Sequence, residues 1–131
     1  MRAFVEDQAT RLGAKQSVVH DAALASDEAV CNLVTHGYGH RGGPIDLSVE
    51  RSGADLIVRI RDQAPAFDPT NYPAPDLSVP LEKRRPGGFG IFLIRQVMDE
   101  VLYRQLPDGR NELVLVRRDA FQARASAKPA V

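Results

Sequence analysis

The 131-residue chain has one cysteine, no excess of charge of either sign and no long apolar run. Each absence removes a class of function. Cys31 alone cannot close an internal disulfide, so a cross-linked secreted scaffold is excluded and the cytoplasm is the expected compartment. Seventeen basic residues balance seventeen acidic ones, which leaves no basic stripe for direct nucleic-acid binding. No stretch approaches the roughly 18 apolar residues of a membrane span, and Met1-Arg2-Ala3-Phe4-Val5-Glu6-Asp7 lacks a signal peptide's apolar core. No internal repeat is visible. The length fits one domain, able to bury roughly two-thirds of its unfolded surface without staples.

Hydrophobic periodicity sets the order of elements. Ala3, Phe4, Ala9 and Leu12 predict a short amphipathic helix closed by Gly13. A second helix, capped by Ser17, follows from Val19, Ala22, Ala23, Ser26, Val30, Leu33, Val34 and Gly37 along one stripe. Ile45, Leu47 and Val49 alternate, Ser52-Gly53-Ala54-Asp55 turns the chain, and Leu56, Val58 and Ile60 alternate again. Six of the nine prolines fall between residues 65 and 86. Proline offers no amide donor, so this stretch is expected to be an irregular surface loop. After Gly90, Ile91, Ile94 and Met98 mark a third helix. Val101–Leu106 and Asn111–Arg117 form a second hairpin across Pro107-Asp108-Gly109-Arg110. Strands in antiparallel pairs, interspersed with helices, predict an α+β fold: a two-layer α/β sandwich whose mostly antiparallel mixed sheet carries its helices on one face.

Three local features can do chemistry. Glu28 and Asn32 are four apart and neighbour one another on a helix. They belong to a stripe, Asp21, Ala25, Glu28, Asn32 and His36, that lies off the apolar one and is expected to face a cleft or solvent. An amide oxygen suits Mg²⁺, and a carboxylate one turn away can accept a proton from an attacking hydroxyl. By themselves they read more readily as an ordinary solvated helix face. Asp62 ends a strand, where its carboxylate can accept from a ligand's exocyclic amine, such as that of adenine, or simply form an Asx turn. Gly87-Gly88-Phe89-Gly90 opens a helix, and glycines there let backbone amides approach phosphate oxygens. Without a Gly-Lys-Ser/Thr ending this is not a P-loop. Lys83, Arg84 and Arg85 just upstream can screen phosphate charge, although a basic triplet in a loop is commonly just solvated. A zinc site from Cys31, His36 and His40 is disfavoured, because Gly37 and Gly39 interrupt the helix between the histidines.

Taken together, the order of these features resembles the GHKL (histidine-kinase-like) ATPase superfamily. Asp27-Glu28-Ala29-Val30-Cys31-Asn32-Leu33-Val34-Thr35-His36-Gly37-Tyr38 looks like its N box, Asp62 to Pro69 like its G1 box and Arg85 to Leu93 like its G2 box. Asp-Glu-Ala-Val before Asn32, His-Gly-Tyr after it, Phe67-Asp68-Pro69, and the run from Gly87 to Val101 resemble the anti-sigma-factor serine/threonine kinases of bacteria. The resemblance covers residues 2 to 118 and implies a Bergerat-type ATP-binding domain over 1–118 with a flexible C-terminal tail at 119–131. From the length, a stand-alone domain is expected, without the second domain of gyrase-type, chaperone or mismatch-repair ATPases. None of His20, His36 and His40 sits in a dimerising helical pair of the histidine-kinase kind.

The resemblance also implies roles. Asn32 would hold Mg²⁺, Asp62 would anchor adenine, and Phe67, Gly87, Gly88, Phe89 and Gly90 would complete the ATP site. Glu28 would activate the acceptor hydroxyl, and residues 71–85 would form a lid. The expected activity is ATP-dependent phosphorylation of a serine or threonine on an anti-sigma antagonist of the STAS type, coupled to sequestration of a sigma factor or similar partner, with a homodimer as an expected assembly. The alternative is a partner-switching module that binds ATP without transferring phosphate. Two departures stand out. Ala64 replaces a glycine usual in the G1 box, which bears on the shape of the adenine pocket. The chain also starts almost inside its first helix, where relatives place a strand that contributes to dimer contacts, so a truncated start or different dimerisation is expected.

Overall fold

The computed structural model describes residues 1–39, 41–66, 68, 70, 78 and 88–122. Helix α1, Arg2–Leu12, ends where Gly13 takes a left-handed φ of 93° and its N–H donates back to Thr10. Helix α2, Gln16–Asn32, begins two residues earlier than a Ser17 cap would place it. Its N-cap is Lys15, whose N–H donates to the carbonyl of Ala120 at 2.8 Å. A π-helical turn, Leu33–Gly37, carries α2 onward and closes with Tyr38 N–H donating to Leu33 O at 2.8 Å.

Strands β1, Ile45–Ser52, and β2, Asp55–Asp62, form the first hairpin. Helix α3, Gly88–Val97, starts inside the glycine run rather than after it. Strands β3, Glu100–Gln105, and β4, Asn111–Arg117, form the second hairpin. Sheet order is β1-β2-β4-β3, and all three pairings are antiparallel. The expected mixed sheet is therefore replaced, among the described residues, by a purely antiparallel one. The two hairpins meet side by side, β2 against β4, with Ile60 opposite Leu113 and Val58 opposite Leu115.

Alternation puts Leu56, Val58, Ile60, Leu113 and Leu115 on one face. There they form the core with Val18, Val19, Ala22, Ala23, Ala29, Ile91, Ile94 and Met98. The other face carries Glu112, fully buried beneath the guanidinium groups of Arg59, Arg61 and Arg104.

Packed structure runs past the expected boundary at 118. Ala120 and Phe121 are buried, Ala120 N–H donates to Ala54 O at 2.8 Å, and the Arg51 guanidinium lies 4.1 Å above the Phe121 ring. These residues close the gap between the α1–α2 turn and the β1–β2 hairpin, so their backbone is anchored at both ends. Residues 123–131 lie outside the described residues. Two helix assignments also change. Phe4 remains 43% exposed while Val5 is the buried residue of its turn. Ala25, expected on the solvated stripe, is fully buried, because α2 is covered by α3 as well as by α1.

Candidate functional site

The two residues singled out on α2 sit at its C-terminal end, Asn32 being the last α-helical residue. The π-helical turn follows at once, and wide turns of this kind are frequent at functional sites. It carries His36 off the line of Glu28 and Asn32, so the stripe read at regular spacing ends at Asn32. Asp21, at its other end, is ion-paired with Arg117.

Helix α3 crosses the pair at its first turn. A Cβ on Gly90 would lie 3.0 Å from both amide atoms of Asn32 and 3.3 Å from Oε2 of Glu28. The α-carbon of Gly90 therefore rests on the two side chains, and Glu28, Asn32 and Gly90 converge. Gly88 opens the same helix, and the first N–H groups of an α-helix have no acceptor within the helix. Nothing is described for Phe67 or Gly87, for the side chain of Phe89, or for the expected lid at 71–85, apart from Ser78. Those expectations lie outside the described residues.

Asp62 is the last residue of β2 and is 7% exposed. It and Asn32 line one small, mostly apolar cavity of about 30 Å³ with Ala29, Ile60, Tyr103 and Leu113. The strand-end hydrogen bond is present, since Asp62 Oδ1 accepts from Ala64 N–H at 2.9 Å. The same oxygen accepts from Asn111 Nδ2 at 2.9 Å. Asn111, the first residue of β4, stands opposite Asp62 in register. Its amide also donates to Ala64 O at 2.9 Å and accepts from the Tyr103 hydroxyl at 2.8 Å. No local signal pointed to Asn111 or Tyr103, because their relation to Asp62 exists only once β4 is placed beside β2.

Two further contacts shape the rim. Tyr38 accepts from Gln63 N–H at 2.8 Å and donates to Pro44 O at 2.7 Å. It ties the end of the π-helical turn to the residue after Asp62. Ala64, where a glycine was expected, has no positive φ and is buried. Its methyl group faces Gly37, where a Cβ would lie 3.4 Å from it and 2.8 Å from Leu33 Cδ1. The Ala64 methyl is accommodated because Gly37 on the facing turn carries no side chain, and the backbone bonds of Ala64 to Asp62 and Asn111 are kept.

The donor set fits a nucleotide with a hard cation. An apolar slot ending in a buried carboxylate suits a base bearing an amine, and an amide oxygen beside a helix N-terminus suits phosphate and Mg²⁺. Cys31 is not a competing nucleophile. Desolvation and the nearby charges of Asp27 and Glu28 raise its pKa, which keeps the thiol protonated at neutral pH. Among the described residues no group of three or more His, Cys, Asp or Glu side chains can hold a metal, and His40 lies outside them. No helix among them is long and apolar enough to cross a membrane.

Comparison with known proteins gives a consistent answer. A family model described as a histidine kinase-like ATPase domain matches residues 1–117. The serine/threonine-protein kinase BtrW of Bordetella bronchiseptica is 35% identical over 99 residues, 74% of this chain and 68% of that protein. The serine-protein kinase RsbW of Oceanobacillus iheyensis is 33% identical over 100 residues, 71% of this chain and 62% of that protein. RsbW of Halalkalibacterium halodurans is 32% identical over 105 residues, 77% of this chain and 64% of that protein. The matched stretch thus spans 62–68% of these relatives' own lengths.

Proposed function

The chain belongs to the histidine kinase-like ATPase domain family, and from that premise we propose that it is a protein serine/threonine kinase. It binds ATP with Mg²⁺ and transfers the γ-phosphoryl group to a hydroxyl of a partner protein. The observation that carries the reading is that Asn32 and Asp62, thirty residues apart in sequence, line one pocket. The relatives' name, serine-protein kinase, favours phosphotransfer over a module that holds ATP without using it.

Each residue has a separate task. Asp62 accepts a hydrogen bond from the 6-amino group of adenine, while Ile60, Leu113 and Ile94 bury the ring faces. Asn32 presents its amide oxygen to the metal, and the amides at the start of α3 meet the phosphates. Mg²⁺ supplies neutralisation of the charge that develops on the phosphoryl oxygens. Glu28, one helical turn from Asn32, orients the acceptor hydroxyl and takes its proton as the oxygen attacks.

The acceptor is a serine or threonine on a small STAS-type antagonist, and the second partner is a sigma factor or similar regulator. Phosphorylation adds nearly two negative charges to a surface that had offered a neutral hydroxyl, which releases the antagonist. Assembly as a homodimer in the cytoplasm completes the proposal. The test is transfer of label from γ-labelled ATP to a co-encoded antagonist. Tight binding of both ATP and partner with no label transferred would overturn the kinase assignment.

A further inference from the structure

We infer that Asn111 is the positioning residue for base recognition: it holds Asp62 in the one orientation that presents a carboxylate oxygen to the ligand. The inference rests on the assignment of Asp62 as the adenine anchor and extends it to a residue on another strand.

Asn111 is 3% exposed, so each polar atom of its amide needs a partner. Both N–H groups have one: Asp62 Oδ1 and Ala64 O, each at 2.9 Å. The amide oxygen accepts from the Tyr103 hydroxyl at 2.8 Å. A flipped amide would set its oxygen against a carboxylate and a carbonyl, two acceptors, so only the observed orientation is stable. That orientation also fixes the phenolic proton, which must point at Asn111.

The consequence falls on Asp62. Its Oδ1 accepts from Ala64 N–H and from Asn111 Nδ2, and two donors from different strands fix the plane of the carboxylate. Oδ2 is then the acceptor kept for an incoming amine. Without Asn111, one donor on the adjacent turn would remain, and the carboxylate could rotate about χ2, a soft torsion for aspartate. Order at the anchor therefore comes from β4 and, through Tyr103, from β3. Tyr103 and Asp62 both line the pocket, so the network is part of the pocket wall.

A merely structural Asn111 would tie β4 to the turn at residue 64 and affect every nucleotide alike. A positioning Asn111 acts on the 6-amino group alone. Affinities for ATP and for the analogue with hydrogen in place of that amine separate the two. In the full chain, Asn111→Ala should weaken ATP about tenfold, the scale of one lost hydrogen bond, and the analogue less than twofold. Added to Asp62→Ala it should weaken ATP by less than a further twofold, since the two act through one contact. Tyr103→Phe, which keeps the ring, should reduce the preference for ATP about threefold with an unchanged melting temperature, and it decides the matter if Asn111→Ala does not fold. Equal weakening of both nucleotides, a full additive loss on the Asp62→Ala background, or an unchanged preference in the deciding variant overturns the inference. A wild-type protein that binds ATP and the analogue equally overturns the adenine-anchor reading itself, which is a different result.

Discussion

Gly90 rests directly on Asn32: a Cβ added to the glycine would lie 3.0 Å from both Oδ1 and Nδ2 of the amide. The first turn of α3 and the last turn of α2 are fitted to each other at the point where the metal ligand is proposed. Alanine is the better helix former by up to about 1 kcal/mol, so backbone propensity and site geometry oppose one another at this position. Gly90→Ala should leave thermal stability unchanged or slightly raised while weakening Mg²⁺-dependent ATP binding about tenfold. Loss of both in parallel would place the fault in packing rather than in the amide.

Asn32 and Glu28 should separate binding from chemistry. Asn32→Ala is expected to abolish the Mg²⁺-dependent part of ATP affinity in calorimetry. Glu28→Ala should keep ATP affinity within a few fold and slow single-turnover transfer by about 10²–10⁴, the scale of a lost general base, or less where positioning dominates. A Glu28→Ala protein that transfers phosphate at the wild-type rate removes the carboxylate from the mechanism.

Base selectivity should depend on Asp62. A carboxylate acceptor matches adenine's amine and repels the carbonyl that guanine carries at the equivalent place. Asp62→Asn is expected to lose about 1–3 kcal/mol of ATP affinity and most of the preference over GTP. Equal affinity of the wild-type protein for the two nucleotides would remove the assignment.

Gly43 lies against the ring of Tyr38, where a Cβ would come within 2.2 Å of Cε1. Gly43→Ala must push the ring aside and disturb its bonds to Gln63 and Pro44. The expected cost is about 1–3 kcal/mol of stability, measured by urea unfolding, together with weaker ATP binding because Gln63 adjoins Asp62. An unchanged unfolding midpoint would show that the loop yields freely.

Glu112 should give the fold an acid limb. Burial pushes its carboxyl pKa up, but hydrogen bonds from Arg61 and Arg104, and their charges, outweigh this and hold it below the usual value of 4.5. A pKa lower in the folded state than in the unfolded chain stabilises fully above the unfolded value, and the contribution is lost as pH falls through the folded one. Unfolding free energy should therefore drop as pH falls below about 4.5. Glu112→Gln should lower stability at pH 7 by about 1–3 kcal/mol and flatten that drop. The same acid slope in both proteins would assign it to other carboxylates.

Much of this was legible in the chain. Both hairpins announced themselves, because a half-buried antiparallel strand must alternate and its turn needs residues that bend, as at Ser52–Asp55 and around Gly109. Gly13 was readable as a helix end since only a left-handed residue closes α1 there. Glu28, Asn32 and Asp62 could be singled out as candidates by residue type and by the order of the motifs, their roles remaining proposals. Ser17 and Phe4 misled for a common reason: a cap and an apolar stripe are local preferences, and Lys15 and Val5 took those roles through contacts with distant parts of the chain.

The sequence by itself determined the elements, the balance of charge and the residue types able to meet a nucleotide, since these follow from composition and from periods of 2 and 3.6 residues. Only the tertiary structure decided which of them act together. Placing β4 beside β2 set Asn111 opposite Asp62, and packing α3 over α2 set Gly90 on Asn32 and buried Ala25. The same assembly drew Ala120 and Phe121 out of an expected tail and into the core. Side chains far apart in sequence have no local signature of their contact. Such contacts follow from burying both hairpins and three helices against one another while leaving no inner polar group without a partner.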